Sequence, residues 1–463
     1  MKKTNIGKGL GRRKFLRFVG LAAAGASIPA YGGTPAPSKA ASPAGPAALS
    51  GWATAPAAPK PAKLFFLYYP WGTTEEELTA QFKQDWGVDV ERMVEPVNEP
   101  VYNKANTMYA TGETFDVIKT TFNWLAEWVK AGLIQPLDGL PGLEEYKKEM
   151  NKSCLQTMEY QGKTWGLPYY QSFFIAAYFE DHFKKSGIQA APKTYQELVD
   201  QALKLKKDGV SEYPIVWPNG QGTQHLTFEF YQLVHNWGGT VFDKNAKPTL
   251  DSGTKAREAL NWWRRTFQEW KISAPESLEL RFIPAAKAFW TGKYSFHMFT
   301  HHYYMSTLNS QTESPIKGRV KNWMLPNGGA TLGWADLYTM SSTSKNRPWA
   351  WMLLQYLGGR TKDGHHTIHM KYAIKSMLGT GYDVVDRDPA VKEAWQKWTD
   401  VELNLKQGEL ATALPVAVPA VMTPWHQKWQ DAAQVSIQKC LAGQLTADQA
   451  CDEMIAKHKQ LAG

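Results

Sequence analysis

Short apolar runs alternate with segments of helical period along most of the chain. The runs LFFLYY (64–69), VDVERMV (88–94) and FDVIKT (115–120) are typical of β-strands, because they are short and rich in β-branched or aromatic residues. The intervening segments 75–86 and 123–132 place apolar residues three and four positions apart, which predicts amphipathic helices. Strands that alternate with helices indicate an α/β fold.

Helix signals continue beyond these first elements. Thr194 and Glu197 form a capping-box pattern at the start of a predicted helix. Its buried stripe is expected to contain Leu198, Ala202 and Leu205. Residues 254–270 predict another amphipathic helix, and the chain after Arg387 is mainly helix and loop in pattern. We find no repeat of fixed period, which excludes solenoids and propellers.

The net charge of +9 is concentrated at the amino terminus. Residues 1–30 contain seven of the 52 basic residues and none of the 43 acidic ones, so the rest of the chain is close to neutral. A nucleic-acid-binding surface is therefore not expected. The chain has 463 residues, 43% of them hydrophobic and 21% charged, which is enough for two lobes with separate cores.

The basic amino terminus predicts an export signal. Arg12 and Arg13 precede a Phe-Leu pair and a short alanine-rich apolar stretch, which resembles a twin-arginine signal within residues 1–30. An ordinary amphipathic terminus is the alternative. Residues 31–62 are mostly Ala, Pro, Gly and Ser and predict a linker. We therefore expect a periplasmic protein, although the cleavage site is left open.

The three cysteines allow one disulfide. Cys440 and Cys451 flank a turn, and Thr446 with Gln449 has the capping-box pattern of the second helix of a helical hairpin. The two cysteines would then face each other, either as a disulfide or as two independent buried thiols. Cys154 has no partner and is expected to be a free buried thiol.

The order of several segments resembles a known family, the extracellular solute-binding proteins of ABC importers, and within it the maltose-binding-protein-like sugar-binding group. The segments that carry the resemblance are FKQDWGVDV, TGETFDVIKTTFNWLAEWVKAGLIQPLD, YQGKTWGLPYYQSFFIAAYFEDHFKKSGIQAAPKTYQELVDQALKL, HNWGGTVFD, IPAAKAFWTGKYSFHMF and CLAGQLTADQACDEMI. Each segment is a loose pattern, whereas their order and spacing together are specific. The resemblance extends from about Lys63 to the end of the chain.

This resemblance implies a periplasmic binding protein-like II fold, in which two α/β lobes joined by a three-crossing hinge enclose a ligand cleft. The implied lobes are 63–168 with 337–387 and 169–336 with 388–463, and the implied crossings lie near 167–171, 332–337 and 386–389. The implied function is to capture a carbohydrate, either a sugar or a polyol, outside the cytoplasmic membrane and deliver it to the permease subunits. No cofactor, catalysis or nucleic acid is implied, and we expect a monomer.

By the same resemblance, several residues of the first lobe are expected to contact the ligand. Thr120, Thr121, Asn123 and Trp124 follow a predicted strand at positions that match ligand contacts in the family. Trp71, in a turn after the first strand, could stack its ring on a sugar. The alternatives are that Asn123 only caps a helix and that Trp71 only covers the core of the lobe.

Further ligand contacts are expected at the crossings and in the second lobe. Tyr170 and Gln171 lie at the first crossing, and Trp334 and Asp336 lie at the second. A carboxylate such as that of Asp336 can accept hydrogen bonds from two sugar hydroxyls, although a solvent-exposed hinge turn is the alternative. Trp217, Asn219 and His225 lie in a Pro/Gly-rich loop of the second lobe that could face the cleft. Trp425, in the final helical region, is either a further ligand contact or a core residue.

The stretch YSFHMFTHHYY (294–304) has the residue types of a metal site but not the arrangement. On a regular strand its side chains divide between two faces, one with His297, Phe299, His301 and Tyr303 and the other with Met298, Thr300, His302 and Tyr304. The three histidines should therefore not converge on one zinc ion. The resemblance instead makes His302 and Tyr304 ligand contacts.

Two other functions remain as alternatives. Ferric-ion-binding relatives use neighbouring tyrosines as ligands, as Tyr303 and Tyr304 could, but no matching His and Glu is apparent. An exported enzyme would need a catalytic motif, and the chain has no GxSxG, HExxH or phosphate-binding loop. Binding without catalysis is therefore the main expectation.

Overall fold

The computed structural model describes residues 54–70, 75–96, 99–222, 225–304 and 318–462. The chain divides into two compact units, Met1–Pro43 and Ala44–Gly463. The first unit, with the predicted export signal and part of the predicted linker, lies outside the described residues. The second unit contains all of the described residues.

Strands alternate with helices, as the sequence pattern predicts. In the described ranges the strands are β1 (Lys63–Tyr68), β2 (Asp89–Val94), β3 (Val117–Thr120), β4 (Ile134–Gln135), β5 (Glu159–Tyr160), β6 (Lys163–Thr164), β7 (Gly166–Phe179), β8 (Ile215–Val216), β9 (Phe296–His301), β10 (Val320–Trp323), β11 (Thr331–Ser341) and β12 (Ala411–Ala413). Ten of them form one sheet, whose main order is β2-β1-β3-β11-β7-β9-β8. β4 and β12 pair with β11, and β10 pairs with β7.

The helices of the described ranges are α1 (Glu75–Trp86), α2 (Glu99–Thr111), α3 (Phe122–Lys130), α4 (Leu143–Glu149), α5 (Lys152–Met158), α6 (Glu180–Lys185), α7 (Tyr195–Lys207), α8 (His225–Asn236), α9 (Lys255–Gln268), α10 (Phe282–Trp290), α11 (Arg347–Gly358), α12 (Thr367–Ser376), α13 (Asp383–Asp386), α14 (Pro389–Trp395), α15 (Val401–Glu409), α16 (Leu414–Ala417), α17 (His426–Leu441) and α18 (Ala447–Ala462). Two short 3₁₀ helices span Pro275–Leu278 and Pro419–Met422. None of the helices in these ranges combines the length and the apolar composition needed to cross a membrane.

Two long strands run through the centre of the sheet. β7 has 14 residues and β11 has 11, and nearly all of them are buried. β11 pairs antiparallel with β7 through Gly333–Thr339 and, on its other edge, with β3 through Leu337–Met340. The register of β11 and β7 shifts between Asp336 and Leu337. The backbone of the sheet is therefore irregular within the pairing of its two longest strands, at the point where β3 begins to pair with the other edge of β11.

Local sequence signals account for many of the observed boundaries. The helix predicted at 75–86 coincides with α1, and the strands predicted from the three apolar runs correspond to β1, β2 and β3. Thr194 Oγ1 accepts a hydrogen bond from the Glu197 N–H, 3.1 Å away, at the start of α7. The stripe predicted for α7, which comprises Leu198, Ala202 and Leu205, is fully buried. These predictions are confirmed.

The cysteines are not bonded to one another. Cys440 and Cys451 lie on the adjacent helices α17 and α18, and both thiols are free and buried, as is that of Cys154. Of the two alternatives left open by the sequence, the structure contains two independent thiols. Burial raises the pKa of Cys440 and of Cys451 to about 12. At neutral pH both side chains behave as small apolar groups.

Candidate functional site

The centre of the candidate site is the contact between Asp336 on β11 and the start of α3. Asp336 Oδ1 accepts a hydrogen bond of 3.3 Å from the Phe122 N–H, the first residue of α3. The Tyr169 hydroxyl donates to Asp336 Oδ2 at 3.3 Å. A carboxylate near a helix N-terminus is stabilised by the unpaired amides and the helix dipole. Asp336 thereby connects the middle of the sheet to the loop that carries Thr121.

Asp336 is buried, with only 8% of its surface exposed, so it does not belong to a solvent-exposed hinge turn. Burial raises the pKa of Asp336 to about 7, and the hydrogen bonds from Phe122 N–H and from the hydroxyls of Tyr169 and Tyr170 oppose this shift. Near neutral pH the group therefore exchanges between an acid, which can donate a hydrogen bond, and a carboxylate, which only accepts.

A buried ion pair supports the neighbouring strand β3. Lys119 Nζ lies 2.6 Å from Glu75 Oε1, and both side chains are almost completely buried. The Lys119 ammonium also lies 4.1 Å from the ring centre of Tyr169, and the Tyr338 hydroxyl donates to Glu75 Oε1 at 3.1 Å. These contacts connect β3, the start of α1 and the central strands, which makes the position of the β3–α3 loop rigid.

The predicted residues of that loop lie at its surface edge. Thr120, at the end of β3, is buried, whereas Thr121, Asn123 and Trp124 are half-buried. The Trp124 ring lies 5.3 Å from the ring of Tyr102. Asn123 lies within α3 and is not its N-cap residue, which is Thr121. These half-buried residues supply a flat ring, an amide and a hydroxyl within two positions of Phe122, whose N–H donates to Asp336.

On the other side of Asp336 lies a group of rings at the end of β9. His301 Nδ1 is 2.8 Å from the Tyr303 hydroxyl, and the His301 ring lies 5.0 Å from that of Trp334. Tyr304 stacks on Tyr303 with ring centres 4.9 Å apart. Both tyrosines are half-buried. The Tyr170 ring, which contacts that of Tyr303 at 6.3 Å, joins this group to Asp336.

The regular alternation predicted for residues 294–304 is wrong. Phe299 has a φ of 52°, and the register of β9 on β7 shifts by one residue near it. His297 lies opposite Ala177, whereas His301 lies opposite Phe174, so the two histidines belong to opposite faces of the strand pair. A bulge is a property of the paired strands, and the sequence of one strand does not reveal it.

The sheet also separates residues that the sequence analysis groups together. Tyr170 on β7 faces Asp336, but its neighbour Gln171 points to the opposite side, where its amide Nε2 donates to Asn151 Oδ1 at 2.8 Å. His302 is on that same side, with its ring stacked 4.4 Å from that of Phe173. Gln171 and His302 therefore do not converge with the other predicted ligand contacts.

Three other predicted positions have distinct surroundings. Trp217 is fully buried and its indole N–H donates to Ser273 Oγ at 2.7 Å, which favours a core role over the predicted ligand contact. Asn219 is also fully buried, and neither atom of its amide has a hydrogen-bond partner. His225 is half-buried, 6.5 Å from the ring of His301. Trp71 lies outside the described residues.

Sequence reasoning misses several residues of this region. The sequence predicts no role for Tyr169 or Lys119, and it places His301 only within a cluster. Regular alternation would place Tyr169 and Tyr170 on opposite faces of the strand, yet both hydroxyls reach Asp336, next to the register shift of β11 on β7. Within the described ranges, no group of three or more His, Cys, Asp or Glu side chains is suited to hold a metal ion.

Comparison with known proteins identifies the family. The sequence profile described as "Bacterial extracellular solute-binding protein" matches residues 70–361, and the chain belongs to this family. A curated binding protein of Brucella abortus (strain 2308) is 26% identical over 259 residues, which is 55% of this chain and 61% of that protein. The match thus spans about three fifths of the length of that relative.

The fold matches solved periplasmic binding protein-like II structures. Maltose-bound MalE3 of T. maritima superposes with a TM-score of 0.70 at 23% identity, over 86% of this chain and 99% of that one. The sugar-binding protein MalE of Xanthomonas citri gives a TM-score of 0.71 at 16% identity, over 86% and 97%. A solute-binding protein of Agrobacterium radiobacter K84 in complex with ribitol gives 0.68 at 19% identity, over 87% and 99%.

Proposed function

We propose that this protein is the solute-binding component of an ABC importer, and that it captures a sugar or polyol outside the cytoplasmic membrane and delivers it to permease subunits. Family membership supports the solute-binding role. Neighbours of the same fold are described with maltose or ribitol bound, which supports a carbohydrate or polyol for this chain. The protein acts by binding, without catalysis, as a monomer that is exported by the twin-arginine route.

The observation that carries the proposal is the arrangement of half-buried rings and polar groups around Asp336. Asn123 and Trp124 follow Phe122, whose N–H donates to Asp336. The Tyr303 ring contacts that of Tyr170, which pairs with Asp336 across the sheet, and Tyr304 stacks on Tyr303. Flat rings suit the C–H faces of a pyranose or the carbon chain of a polyol, whereas amide, hydroxyl and carboxyl groups pair with its hydroxyls. This combination fits a neutral polyhydroxylated ligand.

The proposed mechanism is closure of two lobes, 63–168 with 337–387 and 169–336 with 388–463, about a hinge. The register shift between Asp336 and Leu337 supports this division, because it lies at the proposed second crossing. A ligand favours the closed state only through contacts that the open state lacks, so residues of both lobes must touch it. In the proposed site Trp124 belongs to one lobe and Tyr304 to the other.

A thermal-denaturation screen with mono- and oligosaccharides, polyols and ferric ion tests the proposal. A ligand present at a hundred times its dissociation constant should stabilise the folded state by about 2.7 kcal/mol. We expect stabilisation by at least one sugar or polyol. Stabilisation by ferric ion alone would overturn the carbohydrate assignment and favour an iron-binding protein that uses Tyr303 and Tyr304.

A further inference from the structure

A second cavity lies on the side of the sheet opposite to the proposed cleft. Its volume is about 220 Å³, and its lining includes Gln171 and Phe173 from β7, His302, and Asn404 from α15. Because Tyr170 faces Asp336 on the other side of β7, the central sheet separates this cavity from the cleft. The cavity is therefore separate from the proposed cleft, and its lining includes Gln171 and His302, which the family resemblance makes ligand contacts but which the sheet places on this side.

His302 supplies an unpaired hydrogen-bond donor to the cavity lining. Its Nε2 accepts a hydrogen bond of 3.1 Å from the Gly379 N–H, and burial lowers the pKa of the ring to about 3. The ring is therefore neutral, and the proton must reside on Nδ1. In the structure this Nδ1 is buried and has no partner.

The contact with Gly379 depends on the absence of a side chain there. A Cβ atom at this position would lie 3.0 Å from His302 Nε2 and 3.2 Å from the Gln171 carbonyl oxygen. The imidazole is also held flat against the Phe173 ring. The orientation of the ring, and with it the position of the unpaired N–H, is thus fixed by packing.

Asn404 supplies an unpaired acceptor to the same cavity. The residue is 1% exposed, and its Oδ1 has no hydrogen-bond partner. An unpaired buried polar atom costs about 1–3 kcal/mol, so a partner that satisfies both His302 and Asn404 would bind favourably. A hydroxyl group both donates and accepts, so a small molecule with several hydroxyls carries suitable partners for both atoms.

Size and the remaining lining restrict the ligand further. At about 220 Å³ the cavity is larger than the cavities of about 150 Å³ that hold a benzene ring, which fits a molecule of about six to ten heavy atoms. Phe173 and Trp395 offer apolar faces to a carbon chain. The ionisable residues of the lining are Lys152, Arg387, Asp383, Asp386 and Glu409, of which Arg387 and Glu409 form an exposed ion pair. Burial raises the pKa of Asp386 to about 7, so positive and negative charges nearly balance at neutral pH and a neutral ligand is favoured.

We propose that this cavity is a second solute site, separate from the cleft, which binds a small neutral polyol of three to five carbons through His302 and Asn404. It would be lined by both proposed lobes, since Gly379 and Asn404 belong to different ones. This second site does not depend on the identity of the ligand in the cleft.

Erythritol, a four-carbon polyol, is a suitable probe, and Asn404→Leu is the test variant because it removes the acceptor at similar volume. We expect erythritol to raise the Tm of the full chain. Asn404→Leu should bind erythritol at least about five-fold more weakly, because it loses one hydrogen bond of about 1 kcal/mol. Trp270→Ala, which changes a half-buried ring outside both the cavity and the cleft, should retain the erythritol response. Equal responses of Asn404→Leu and the unaltered protein would overturn the proposal.

A crystal structure of the unaltered protein soaked in erythritol gives a second test that does not depend on the variant folding. We expect the polyol in the cavity, with one hydroxyl near His302 Nδ1 and another near Asn404 Oδ1. Ordered water alone at these positions, or erythritol only in the cleft, would overturn the proposal. If no sugar or larger polyol stabilises the protein but erythritol still binds in this cavity, the proposed function is contradicted and the second site is supported.

Discussion

Asp336 caps the helix that begins at Phe122, with a hydrogen bond of 3.3 Å from the Phe122 N–H to Asp336 Oδ1. Through this bond a central strand is connected to the loop that carries Thr121 and Trp124. The contact is buried, so the charge of Asp336 affects both the stability of the fold and the hydrogen bonds available to a ligand.

Stability should depend on the ionisation of Asp336. Its folded pKa of about 7 exceeds the value of about 3.9 for an unfolded Asp, so the folded state holds the proton more tightly. The free energy of unfolding should therefore fall as pH rises from about 4 to about 7, and stay lower above that. Asp336→Asn removes this dependence.

The measurement is chemical denaturation of both proteins at pH 5 and at pH 8. The free energy of unfolding of Asp336→Asn, relative to that of the unaltered protein, should be larger at pH 8 than at pH 5. The increase is at most about 4 kcal/mol over the whole titration. Asp386 and the other titrating groups are present in both proteins and cancel in the comparison. A stability difference that is the same at both pH values would contradict the raised pKa.

The buried pair of Lys119 and Glu75 should behave as a unit. Lys119→Met leaves the Glu75 carboxylate buried without its cation, which we expect to cost about 3–5 kcal/mol in urea denaturation. The double variant Lys119→Met/Glu75→Gln should lose less than Lys119→Met alone, because no uncompensated charge remains. If the double variant is the less stable of the two, the pair does not act as described.

Ligand affinity should depend on rings from both sides of Asp336. Trp124→Ala and Tyr304→Ala each remove one ring, and we expect each to weaken binding of the sugar or polyol found in the screen by about tenfold, since such contacts contribute about 1 kcal/mol or more. Isothermal titration calorimetry provides the affinities.

Trp270→Ala and Tyr213→Ala are matched controls for these variants. Both residues are half-buried aromatics within the proposed second lobe, and each is contacted by a basic side chain, Trp270 by Arg265 and Tyr213 by Lys206. The controls should bind with unchanged affinity. Normal binding by both Trp124→Ala and Tyr304→Ala would show that the cleft is misplaced.

The three thiols should be protected in the folded protein and all available after unfolding. Cys154, Cys440 and Cys451 are free and buried, so iodoacetamide should react with none of them in native conditions. In denaturant without reductant, intact-mass measurement should show three modified cysteines. A single modified cysteine after unfolding would mean that Cys440 and Cys451 form a disulfide in the exported protein.

Helices and strands whose sequence signals lie within a few neighbouring residues can be predicted from the sequence alone. The helix at 75–86 and the capping box at Thr194 depend on residues within one or two turns, and both are predicted correctly. The mixed α/β architecture and the family likewise follow from the order of such segments. Features that depend on partners distant in sequence are harder to predict.

The arrangement of the site shows where sequence reasoning fails. The left-handed backbone at Phe299 shifts the register of β9, and nothing in YSFHMFT indicates a bulge. The sequence groups Gln171 and His302 with Tyr170 as ligand contacts, but alternation along β7 directs Tyr170 and Gln171 to opposite sides. Several tryptophans of this chain lie in the core, so the residue type alone does not show whether Trp217 contacts a ligand. Only its packing in the structure distinguishes the two roles.

Closure of the two proposed lobes on a carbohydrate is the central claim, and small-angle X-ray scattering of the mature protein tests it most directly. With saturating sugar or polyol from the screen, the radius of gyration should decrease, and Trp124→Ala should need a higher ligand concentration for the same decrease. A scattering curve that stays unchanged when calorimetry shows the site to be saturated would contradict the account.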